Sequence, residues 1–148
     1  MPTPPEYYVR LQRGITGGFV PPAPTAVFTI TQTAQAPSLA ITKSERTPGT
    51  RVLGDAVPKT LNADTEITVL VDELQSILKS LPLESPPGCE DIYALDTSIT
   101  WGSDDLEWRN GGPAGCGRST SAVQPTQEEK DKFKRAVEIV EQLVSRAE

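Results

Sequence analysis

Asp104, Asp105 and Glu107 crowd three carboxylates into four residues. Carboxylates so spaced can do acid–base work or hold calcium. At a hairpin tip they more often form a solvated turn that keeps a sheet edge from pairing with another chain. The chain gives them little help. It has no histidine, so it lacks the commonest general base and metal ligand, and with it any Ser-His-Asp or Cys-His constellation. EF-hand spacing is missing. Gly111-Gly112-Pro113-Ala114-Gly115 has neither the lysine nor the strand-to-helix setting of a phosphate-binding loop. The expectation is therefore no enzyme, no bound metal and no cofactor, but a protein that works through its surface.

Cys89 and Cys116 are the two cysteines, and neither sits in a CxxC redox or zinc spacing. Their relation depends on a hairpin. Residues Asp91 to Trp101 alternate, with Tyr93, Leu95, Thr97, Ile99 and Trp101 on one side. Gly102-Ser103 then suits a type II′ turn. That turn sets Trp101 against Asp104, Ile99 against Leu106 and Thr97 against Trp108, with the apolar side chains of both strands on one face. Extending the register carries Cys89 opposite Cys116, a candidate disulfide that would close a loop worth about 3.5 kcal/mol. Gly111, Gly112, Gly115 and Gly117 could break the ladder first, and a reducing compartment would leave both thiols free.

The sharpest local feature is Gly17-Gly18-Phe19, a bulky apolar side chain after permissive backbone, leading into Val20-Pro21-Pro22. Phe19 could turn inward and cap the core, the commoner fate of a large apolar residue. Alternatively, the segment is an exposed loop stiffened by proline and offered to a partner, since proline lowers the ordering entropy lost on binding.

The elements that would position these groups follow from periodicity. Tyr7 to Arg13 alternates Tyr7, Val9 and Leu11 against Tyr8, Arg10 and Gln12, which predicts a half-buried strand. Ala26 to Thr33, with Phe28 and Ile30 on one face, and Ser38 to Lys43, with Leu39 and Ile41, predict two more joined by a hairpin. Residues 44–62 read as a long loop containing at most one short strand, and 110–124 as a Gly/Ser-rich loop. Ile67, Leu70, Val71, Leu74, Ile77, Leu78 and Leu81 form a helical stripe, with Asn62 or Asp64 as N-cap and Pro82 as the stop. Thr126 and Glu129 make a capping box for a last helix carrying Phe133, Ala136, Val137, Val140, Leu143 and Val144.

The order β-β-β-α-β-β-α predicts an α+β fold, an antiparallel sheet of four to five strands with both helices on one face. The length suits a single domain over 1–148, with a flexible tail at 1–5. A net charge of −6 and a pI near 4.7 argue against a nucleic-acid partner. No apolar run approaches membrane-spanning length. Met1-Pro2-Thr3-Pro4-Pro5-Glu6 lacks the basic region and apolar core of a signal peptide, which predicts a cytoplasmic location.

Several of these pieces together resemble the emfourin family, small proteinaceous inhibitors of thermolysin-type metallopeptidases such as protealysin. The matching pieces are Arg13 with Gly17-Gly18-Phe19, the helix from Leu70 to Leu81, Asp91-Ile92-Tyr93 and the helix from Val137 to Val144. They span most of the chain in order, though each is short. Ile15 and Thr16 widen the spacing from the arginine to the glycines, and residues 44–62 form an expansion. The resemblance implies a protein that blocks the active-site cleft of a zinc metallopeptidase through a surface loop, with Arg13, Gly17, Gly18, Phe19 and Val20 at the contact. The alternative is a non-catalytic adaptor that binds a partner protein through an apolar sheet face or the C-terminal helix.

Overall fold

Strict alternation builds the sheet. The computed structural model describes residues 6–14, 26–33, 38–46, 54, 57–62, 64–83, 92–93, 95–104, 106–110 and 123–147. Strand β1 (Tyr7–Arg13) turns Tyr7, Val9 and Leu11 inward and leaves Tyr8 and Arg10 exposed. Strands β2 (Ala26–Gln32) and β3 (Ser38–Glu45) bury Phe28 and Ile30, and Leu39 and Ile41, on the same side. A fourth strand, β4 (Val57–Asn62), pairs with β3 inside the region expected to be mostly loop. Helix α1 (Thr65–Ser80) then crosses to the far side of β1, where β5 (Thr97–Ser103) and β6 (Leu106–Arg109) complete the sheet. Helix α2 (Gln127–Arg146) closes the described chain.

All neighbours run antiparallel in the order β4-β3-β2-β1-β5-β6, with β1 paired on both sides. The fold is α+β, with six strands rather than four to five. The inward side chains of the sheet and the stripes of both helices join in one buried cluster. Leu74, Leu78, Ile139 and Leu143 are fully buried within it, each contributing about 1.5–3 kcal/mol by leaving water. The helices therefore cover one face of the sheet, and among the described residues no element covers the other.

The helix signals act as the sequence predicts. Asp64, rather than Asn62, caps α1 by accepting the Ile67 N–H at 2.9 Å. Thr126 and Glu129 make both bonds of the capping box on α2. Gln75, which no apolar stripe would include, is also buried.

The last hairpin differs from the expected one. Trp101 pairs with Trp108, and Ser103 with Leu106, so the connection is Asp104 and Asp105 rather than Gly102-Ser103. Gly102 lies inside β5 for a steric reason: a Cβ there would overlap the ring of Tyr8 on β1. Aspartate suits such a turn because its short side chain can bond local backbone. The shift preserves which residues share a face, so the apolar side remains as read.

The strand also begins later than expected, at Thr97, leaving Tyr93 and Leu95 outside it. Asp96 takes φ 54°, a left-handed conformation incompatible with a continuing strand. These two findings remove the ladder that carried Cys89 to Cys116. Both cysteines lie outside the described residues.

Candidate binding site at the stem of the β1–β2 connection

The connection from β1 to β2 leaves and re-enters the sheet at directly paired residues, Arg13 and Ala26. The exit is held from two sides. Gly14, at φ 84°, donates its N–H to the Asp96 carbonyl at 2.9 Å, which ties the end of β1 to the start of β5. Arg13 forms an ion pair with Glu141 of α2. Both side chains are about 40% exposed, so the pair contributes at most about 1 kcal/mol and serves chiefly to orient Arg13.

Beside this stem lies a cleft of about 450 Å³ between the sheet and the end of α2. Ala26, Phe28 and Val144 give it apolar walls, and the charged lining combines Arg13–Glu141 with Lys43–Glu45, the latter pair at 2.8 Å. Ser145 adds a hydroxyl. That hydroxyl donates to the Gln142 carbonyl at 2.9 Å, and the arrangement can bind apolar or dipolar groups.

Of the residues singled out in the sequence, Arg13 stands at this stem. Gly17, Gly18, Phe19 and Val20, like Cys89 and Cys116, lie outside the described residues. In the carboxylate cluster, Asp104 lies in the turn and Glu107 is exposed on β6, while Asp105 lies outside the described residues. Among the described residues, no group of three or more His, Cys, Asp or Glu is placed to hold a metal ion. No helix of the described residues is long and apolar enough to cross a membrane.

Glu141 was not legible as a site residue. It is 128 positions from Arg13, and only the packing of α2 against the sheet brings them together. An aromatic assembly supporting the opposite part of the core was equally hidden. The Trp108 indole N–H donates to the Leu81 carbonyl at 3.2 Å, and the Tyr93 hydroxyl donates to the Pro82 carbonyl. Both therefore satisfy backbone oxygens where the chain leaves α1. Tyr93 stacks on Phe133 with ring centres 4.4 Å apart, and Trp108 lies 6.2 Å from the same ring. This trio locks α2 to the exit of α1.

Burial raises the pKa of the Tyr7 hydroxyl, and the charge of Asp72 on α1 adds to the shift. The Glu73 carboxyl is held below its ordinary pKa by its hydrogen bond from Arg135, an ion pair joining the two helices. Both effects belong to the scaffold, not to the cleft.

In comparisons with known proteins, the chain matches no family model, no curated protein and no solved structure.

Proposed function

We propose that the protein is an inhibitor of a zinc metallopeptidase of the thermolysin type, blocking the active-site cleft with residues 14–25. The observation that carries this reading is the stem. Arg13 and Ala26 are paired on two interior strands, Gly14 is tied to Asp96, and Arg13 is held by Glu141. A segment presented from so fixed a base loses less freedom on binding than one on a loose tether. The sequence of the segment adds apolar and proline residues, and thermolysin-type enzymes favour apolar side chains in their main specificity pocket. Such work requires no catalytic group from this chain. A cytoplasmic site of action belongs to the same reading, supported by the sparse cysteine content.

The adaptor alternative, through a sheet face or the C-terminal helix, would have to use the polar, exposed side of α2. The apolar sheet face lies under the helices, and the stripe of α2 is buried in the same core.

The test is to titrate purified protein against a panel of thermolysin- and protealysin-type peptidases. Inhibition at micromolar concentration or below is expected, and Phe19→Ala should weaken it by about 1–3 kcal/mol with little change in the melting temperature. A fully active panel would sink the proposal. A Phe19→Ala variant that unfolds would instead make Phe19 a core residue and move the contact elsewhere.

A further inference from the structure

The open face of the sheet carries its charges in two rows. The strand register places Thr31, Tyr8, Gly102 and Glu107 across one row, and Thr29, Arg10, Thr100 and Arg109 across the next. The first row ends in a carboxylate; the second carries two guanidiniums. The ion pairs seen among the described residues lie elsewhere, joining Arg13 to Glu141, Lys43 to Glu45, Arg135 to Glu73 and Arg146 to Glu66. Glu107 and Arg109 are both exposed and take part in none of them. Tyr8, at 47% exposure, is the large aromatic on this face. Arg10 donates to Gln12 at 3.0 Å, which keeps its guanidinium on the face.

We propose that this face is a two-fold interface between two copies of the chain. Consider an axis lying parallel to the sheet, along its hydrogen-bonding direction, between the two rows. Rotation about it lays each row over the opposite row of the second copy. Glu107 then faces Arg109 twice, once in each direction, as an isologous interface requires. Arg10 meets the face of Tyr8, a cation–π arrangement. Thr100 meets the edge of the Tyr8 ring that lies over Gly102, and Thr29 meets Thr31 through methyls and hydroxyls. Two sheets so stacked would stand about 10 Å apart, with strands crossing near −30°.

The size is adequate for a modest dimer. Six strands about 4.8 Å apart, each contributing about 20 Å of length, present roughly 600 Å² per copy before side-chain relief is added. Standard interfaces bury about 800 Å² per partner. A second copy fits better than an unrelated acidic protein, because an acidic partner would use the arginines and leave Glu107 opposed to like charge.

Sedimentation velocity on the full chain, from about 1 to 200 μM, tests the proposal at low and high salt. The wild type should pass from monomer to dimer over that range, with weaker association in salt. Glu107→Arg and Arg109→Glu should each raise the dissociation constant at least about tenfold. The double variant E107R/R109E restores opposite charges across the axis and should return within about threefold of wild type. Melting curves serve as the fold control, and both residues are exposed. A wild type that remains monomeric throughout overturns the proposal. So does a dimer indifferent to either single reversal, or a double variant that fails to recover.

Discussion

Asn110 does the work of a strand residue with its side chain. It is 2% exposed, its Oδ1 accepts the Ile99 N–H at 2.8 Å, and its Nδ2 donates to the Thr97 carbonyl at 3.1 Å. The amide thus continues the ladder of β5 beyond the end of β6. Asn110→Ala would leave a buried donor and a buried acceptor without partners, and should cost about 2–3 kcal/mol in urea denaturation. An unchanged midpoint would mean that water replaces the amide freely. Nothing local in the sequence marks this asparagine, which stands at the start of a glycine-rich stretch and reads as loop. Gly102 misleads in the opposite direction. Its type suggests a turn, yet it is a strand residue over which the ring of Tyr8 lies, a neighbour 94 positions away in sequence and adjacent only through the pairing of β1 with β5. Single-residue roles set by such distant neighbours have no signature in a linear reading.

Helices were the most legible elements, because their stripe and caps are written within a few turns of chain. Leu74 sits at the centre of the α1 stripe and is fully buried, so Leu74→Ala should destabilise the protein by about 2–5 kcal/mol, read as a lowered melting temperature. A shift within a degree or two would contradict the packing of α1 on the sheet. The first three strands were legible for the same reason, through their period of two. Strand β4 was less so, since Val57–Asn62 lies on a sheet edge and carries Pro58 and Lys59 in place of clean alternation. The limits of β5 were misread because alternation continues through Tyr93 and Leu95 while the backbone turns at Asp96. Hydrophobic period reports which side chains could share a face. It does not report φ. The stem of the β1–β2 connection was legible only in part: Arg13 could be identified, but its partner Glu141 and the tie from Gly14 to Asp96 are tertiary facts.

At the level of the whole molecule, the titrating groups define a window of pH. Glu66 and Glu73 have lowered pKa values through hydrogen bonds from Arg146 and Arg135. Their contribution is therefore present above the unfolded value of 4.5 and is lost as pH falls through their folded values. Tyr7 acts at the other end. Its folded pKa is raised, so the unfolded chain loses this proton first, and stability declines once pH rises above 10.0. Tyr7→Phe should flatten the decline above pH 10 in urea denaturation, by up to about 1.4 kcal/mol per pH unit. An identical slope in both proteins would place the alkaline sensitivity elsewhere. The two tryptophans allow such measurements without a label. Trp101 stacks on Tyr7 at 5.0 Å, Trp108 lies beside Phe133, and both are buried between sheet and helices. Their fluorescence therefore reports the separation of the two layers, moving to longer wavelength as water reaches the indoles. The open sheet face carries no tryptophan among its described residues, so binding there would leave the emission colour of the folded protein nearly unchanged.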